Sequence, residues 1–191
     1  KHFSKTNCAA YRLGKDLLNG SPIRQDFFKK ALEWMADHET RNGKPQSAVG
    51  YMSLHQHDIN SMPLWTYFQS VLRWAIDTFN MKKFKKIMKG LDWAKFYDEY
   101  HEKVLDIKAM EKQIIDLIGD DEIQKQQGII PYVLTGDEHY LDLRVFPDKI
   151  KLAVWEKQNH KCAICGKEFD YQFMEGDHIS PWRDGGRTEV K

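Results

Sequence analysis

Cys162-Ala163-Ile164-Cys165 sets two thiols at the spacing of a knuckle that grips one face of a zinc ion. Gly166 follows directly and permits the sharp backbone turn that such a knuckle needs. Zinc takes four ligands, so the pair supplies half of a closed site. A redox dithiol is the rival reading, disfavoured because no βαβ pattern surrounds the pair. Further on, Asp177-His178 follows a strand-like stretch, Tyr171 to Met174. Neighbours on a strand point to opposite faces, so one group can bind a metal while the other faces a water. Phosphodiester hydrolysis needs that division. A neutral imidazole takes a proton from water at neutral pH, and a hard divalent cation held by a carboxylate stabilises charge on the leaving oxygen.

The surroundings of the pair fit the same chemistry. Ile179, Pro181 and Trp182 are expected to anchor the turn in a local core, and Asp184-Gly185-Gly186 forces a bend that can approach a nucleic-acid backbone closely. Lys167, Arg183, Arg187 and Lys191 are candidate phosphate contacts, with solvated surface cations as the plain alternative. By itself an Asp-His pair is also compatible with a surface turn in an inactive zinc module.

Cys162-x2-Cys165, Asp177-His178-Ile179-Ser180-Pro181-Trp182 and Gly185-Gly186-Arg187-Thr188 together resemble the HNH endonucleases, a ββα-metal fold with an embedded zinc knuckle. The likeness is to the HNH modules of restriction and phage-defence nucleases, and it covers roughly residues 147–191. It implies that His178 is the general base, that Asp177 ligates the catalytic divalent ion (Mg2+ by default, with Mn2+ or Ni2+ able to substitute), and that Cys162 and Cys165 are half of a structural Zn2+ site. It also implies DNA as the partner and a bacterial or phage cytoplasm as the setting. The family pattern continues with an Asn, a second C-x2-C and a final His or Asn, whereas this sequence stops at Lys191. The chain is therefore read as lacking both ends of a longer protein, and the 191 residues are expected to bind zinc weakly and cleave poorly. Stoichiometric zinc and robust cleavage would refute that expectation. The stretches Asn60 to Gln69 and Met88 to Trp93 are similar to the segment before the HNH module in bacterial proteins that often carry a ParB-like domain upstream, which implies an additional upstream domain.

The elements before the tail read as mainly helical. Ser21 and Pro22 suit an N-cap and N1, and Ile23, Phe27, Phe28, Ala31, Leu32 and Met35 recur at helical spacing up to the Arg41-Asn42-Gly43-Lys44-Pro45 loop. A short helix or turn is expected over Ser47 to His55. The clearest helix opens at Ser61 and Pro63 and carries Leu64, Trp65, Phe68, Val71, Leu72, Ala75, Ile76 and Phe79 on one wide core face. Lys82, Lys83, Lys85, Lys86 and Lys89 then read as a solvated helix end, with phosphate steering as the alternative. Asp92 to Ile118 is one long helix or two, and Asp120 to Gln127 a short one closed by Gly128. Ile129 to Leu134 and Tyr140 to Phe146 read as strands of a hairpin around Thr135-Gly136-Asp137-Glu138. Pro147-Asp148 starts a last helix with Ile150, Leu152, Ala153 and Trp155 toward its buried side. His55, His57 and Asp58 lack companion ligands, so capping, solvent exposure or local hydrogen bonding is the better reading. Cys8 is a plain, partly buried side chain.

The fold class expected is thus mainly α (α+β). It has a helical region over 1–128, a hairpin or connector over 129–146 and an incomplete HNH module over 147–191. Composition sets outer bounds. With 191 residues, 41% hydrophobic and 13% aromatic, the chain can bury a core and is not a disordered polymer. No run reaches the roughly 18 apolar residues of a membrane span, and no apolar segment follows the basic start as in a secretory signal. Net charge is +1, so any nucleic-acid contact must come from local patches. The leading expectation is a metal-dependent DNA endonuclease. The alternatives are a non-catalytic zinc-stabilised nucleic-acid-binding module and a helical protein-interaction domain with an exposed apolar patch. Double-strand cleavage by one such site would need two visits or a homodimer.

Overall fold

The computed structural model describes residues 2–3, 5–43, 47–143, 146–176 and 182–184, with the Arg183 side chain left out. The helices are α1 (Ala9–Gly14), α2 (Asp26–Arg41), α3 (Ala48–Leu54), α4 (Met62–Thr78), α5 (Met81–Met88), α6 (Trp93–Tyr100), α7 (Ile107–Ile118), α8 (Ile129–Thr135) and α9 (Asp148–Lys157). None among the described residues is long and apolar enough to cross a membrane.

The core is built around α4. Its apolar residues fall at helical spacing, with Phe68, Val71, Leu72 and Ala75 completely buried, and it packs against α1, α2 and α6. Aromatic rings fill the junctions. Phe3 meets Trp65 and Phe68 edge-on, Trp34 of α2 lies 5.7 Å from Phe68, and Trp74 and Phe79 lean on Trp93. A polar knot ties the same helices. Asp98 of α6 accepts from the Tyr67 hydroxyl of α4 (2.8 Å), pairs with Nδ1 of His38 (2.9 Å) and receives the Arg41 guanidinium from α2. Burial, followed by the adjacent Asp98 carboxylate, pushes the Tyr67 hydroxyl far above the ordinary phenol range. It therefore stays a donor at every working pH.

Local chemistry explains where helices begin. Ser47 caps α3 by accepting from the Gly50 N–H (3.0 Å), and Asp106 caps α7 by accepting from Ala109 (3.0 Å). The Asp92 to Ile118 stretch is therefore two helices. The first long helix starts at Asp26, later than Ser21 and Pro22 suggest. Gln25 is left-handed (φ 58°) and the Ser21 N–H donates to the Asp26 carboxylate at 2.7 Å, so 21–25 is a turn. α1 was not anticipated. Cys8 is buried beside it, and His55 pairs with Asp58 (2.7 Å) in a local contact.

Two expectations in the middle of the chain fail. Residues 120–127 form turns and a 3-10 turn (Gln126–Gly128) in place of a helix, and Gly128 has an ordinary φ of −78°. The expected hairpin does not form: Ile129–Thr135 is helical and Glu138–Tyr140 is a 3-10 turn. Ile129, Ile130 and Pro131 are buried against neighbouring helices, and Pro131 sits in the first turn, where a missing N–H breaks no helical bond. Gly136 (φ 75°) closes α8. Among the described residues of this stretch the β content is one isolated bridge, Ile123 to Leu143.

Candidate functional site

The tail hangs from α9. That helix buries none of its residues, contrary to expectation; Leu152 is 45% exposed, and Trp155 is half-buried with a different task. After α9 ends, Asn159 and His160 both take left-handed backbone (φ 52° and 64°) and turn the chain back on itself. His160 then stacks on Trp155 with ring centres 3.8 Å apart and pairs with Glu156 at 3.2 Å. Trp155 donates its indole N–H to the Phe169 carbonyl (3.0 Å), and the Phe169 N–H donates to the His160 carbonyl (3.0 Å). Tyr171 meets the same indole edge-on and reaches the Asp148 carbonyl with its hydroxyl (3.2 Å). One tryptophan therefore fastens both sides of the cysteine loop.

Between those fastenings lies the knuckle. Lys161 and Glu168 form an antiparallel bridge, the Cys162 N–H donates to the Lys167 carbonyl (2.8 Å), and the Gly166 N–H donates to the Cys162 carbonyl (2.9 Å). Gly166 is left-handed (φ 67°), as the tight return demands. The N–H groups of Cys165 and then Ile164 point at the Cys162 sulfur and, with the Cys165 thiol, hold it below the usual thiol range. The thiolate is the form that binds zinc. Both cysteines are free, with Cys162 half-buried and Cys165 exposed.

The donor set fits half of a zinc site. Among the described residues no three His, Cys, Asp or Glu side chains converge as a metal cluster. His160 is close in sequence but is committed to Trp155 and Glu156. Asp177, His178, Arg187 and Lys191 lie outside the described residues, as do Ile179, Pro181, Gly185 and Gly186. Lys167 is exposed, and Arg183 lies in a 3-10 turn, Trp182–Asp184. Trp182 is half-buried and meets Tyr132 of α8 edge-on at 5.8 Å, the anchoring role expected of it. The strand expected at Tyr171 to Met174 is a 3-10 turn over Tyr171–Phe173, with the Phe173 N–H bonded to the Asp170 carbonyl.

Trp155, Asn159 and His160 are the positioning residues that sequence reasoning overlooked. The available signal was a large aromatic one turn before the end of a weakly amphipathic helix, followed by an Asn-His pair directly ahead of the first cysteine.

No curated protein and no solved structure matches this chain. Residues 162–191, from the first knuckle cysteine through the Asp-His pair, match the HNH endonuclease family.

Proposed function

We propose that the protein is a metal-dependent HNH-type DNA endonuclease that hydrolyses phosphodiester bonds, serving restriction or phage defence. The observation that carries this reading is the preformed Cys162–Cys165 knuckle at the head of the matching segment, with two backbone N–H groups aimed at the first sulfur. In this reading Cys162 and Cys165 supply two thiolates to a structural zinc ion. Asp177 supplies a carboxylate to the catalytic divalent ion, which stabilises charge on the leaving oxygen. His178 takes the proton from the attacking water. Lys167, Arg183, Arg187 and Lys191 contact phosphates and hold the strand in register.

A second reading, a helical domain that docks a protein partner, has one observation in its favour. Val49, Met52, Leu54, Ile59 and Met62 are all well exposed along α3, the loop after it and the first residue of α4.

The deciding experiment is nicking of supercoiled plasmid by the natural gene product with added Mg2+ or Mn2+. The expected result is divalent-dependent conversion to open circles, abolished in His178→Ala and Asp177→Ala. Folded, zinc-loaded protein that leaves plain, modified and single-stranded DNA intact would overturn the endonuclease reading.

A further inference from the structure

α5 is built from two opposed stripes. Phe84, Ile87 and Met88 are buried, while Lys82, Lys85, Lys86 and Lys89 fall on the opposite side at i, i+3, i+4 and i+7 and are exposed. Lys85 pairs with Asp16 at 2.8 Å, and Lys83, off to one side, pairs with Glu111. Among the described residues no carboxylate lies within ion-pair distance of Lys82, Lys86 or Lys89. Helix stability accounts for only part of the stripe: Lys85 and Lys86 in the last turn and Lys89 at the C-cap complement the dipole, whereas Lys82 does not. Cations favour the C-terminal end of a helix and oppose the N-terminal end, yet Lys82 and Lys83 occupy the first turn, which holds no acidic residue.

The stripe continues onto neighbouring helices. Asp16 lies in the field of Lys15 and Lys89 as well as Lys85, which puts the end of α1 beside the end of α5. One turn back along α1, Arg12 shares an open groove with Arg73 of α4. Arg12 and Arg73 thus line one groove, and Lys15, Lys85 and Lys89 gather around Asp16 one turn along α1, in a chain whose net charge is only +1.

We infer that this face, centred on Lys82, Lys86 and Lys89 and extended by Lys15, Arg12 and Arg73, is a docking surface for the phosphate backbone of duplex DNA, separate from the HNH tail. Lys82 and Lys89 are about 10 Å apart along the helix, so the stripe can reach more than one phosphate of a strand. Single-strand binders add aromatic platforms for bases. Here Trp65, the aromatic residue lining the groove, is 6% exposed with His2 stacked on it, and α5 turns no apolar residue outward for a membrane to take up. The surface deepens the nuclease reading by giving the helical region a hold on the same polymer. Its test reads binding, so the two stand or fall separately.

The test is fluorescence anisotropy of the 191-residue chain with a labelled duplex of arbitrary sequence, across a NaCl series and without added divalent ion. Lys82→Gln/Lys86→Gln/Lys89→Gln should lower the slope of log K against log salt by about 2–3, near 0.9 per lost phosphate contact, and weaken binding by tens- to hundreds-fold near 0.1 M salt. Lys29→Gln/Lys30→Gln/Lys103→Gln, exposed lysines on α2 and after α6, should leave slope and affinity unchanged. Asp16→Asn removes the carboxylate set among the cations and should tighten binding several-fold; it decides the matter alone if the triple variant fails to fold by circular dichroism. A wild-type chain that does not bind the duplex, an unchanged slope in the lysine variant, an equal loss in the control, or a lysine effect confined to phosphatidylserine vesicles would each overturn the inference. Loss of nicking with the slope change intact would remove the endonuclease and leave the docking surface standing.

Discussion

Gly128 sits where the chain passes beneath the segment that leads to the HNH tail. Its φ of −78° suits any residue, so the need for glycine there is purely steric. A Cβ added at Gly128 would lie 1.6 Å from the Tyr140 carbonyl oxygen and 2.4 Å from its carbon. Both are backbone atoms, so no side chain can swing aside. To restore even a tight 3.0 Å contact, the Tyr140–Leu141 backbone must retreat by about 1.4 Å. Leu141 is completely buried, and its carbonyl accepts from the Lys125 N–H (3.0 Å) while that of Asp142 accepts from Gln124 (3.2 Å). Complete loss of one leucine's burial costs about 1.5–3 kcal/mol, so a partial loss costs about 1, and each strained hydrogen bond costs about 1 kcal/mol. Gly128→Ala should therefore cost about 3 kcal/mol and lower Tm by roughly 10 °C for a chain of this length. Gly136→Ala is the contrast: its φ is 75° with nothing within 4 Å of an added Cβ, so only the left-handed backbone penalty of about 1–2 kcal/mol applies. Urea melts followed by circular dichroism measure both. A Gly128→Ala protein within 1 kcal/mol of wild type (~1 being the scale of a backbone penalty alone), or a larger cost at Gly136, would refute the steric account.

Asp98→Ala strands the buried Tyr67 hydroxyl and uncouples α2, α4 and α6. It should cost about 2–4 kcal/mol in a urea melt, with Asp98→Asn costing less because an acceptor remains; equal costs would show that the charge and not the acceptor matters. Arg41 is partly exposed and regains water, which is why the figure is not higher. Gly166→Ala leaves the thiols intact but penalises the left-handed return of the knuckle, so competition with a chromogenic chelator should show zinc binding weakened about five- to thirtyfold. Unchanged zinc affinity would mean that the loop closes by another route.

What the sequence made legible follows from which forces were local. α3 and α4 were readable because Ser47 and Pro63 mark their starts chemically, and α4 has an unbroken apolar face, whereas the break before α7 was left open although Asp106 caps it. The Cys162–Cys165 turn was readable for the same reason, since Gly166 and the spacing define it without outside help. α8 was not. Ile-Ile-Pro-Tyr-Val-Leu-Thr has the β-branched and aromatic content of a strand, and only burial against α5, α6 and α7 makes it helical. The start of α2 was displaced by the Ser21–Asp26 bond, which no propensity encodes. Trp155 was placed on the core side of α9 because a large aromatic usually belongs there, whereas this one serves a short-range clasp of stacked ring, indole N–H and returning backbone.

The core residues run from Phe3 to Leu141, while among 146–176 no residue is buried. The molecule accordingly has two kinds of cohesion. The helical part holds together by exclusion of water, which is collective and independent of the redox or metal state of its solvent. The tail holds together by a few directional contacts around Trp155 and by whatever the two thiolates can grip. A single free energy of unfolding does not describe such a chain. The part that would do chemistry is expected to open first and at lower cost, so in the zinc reading its integrity would follow metal supply and thiol oxidation even while the helices remain fully folded.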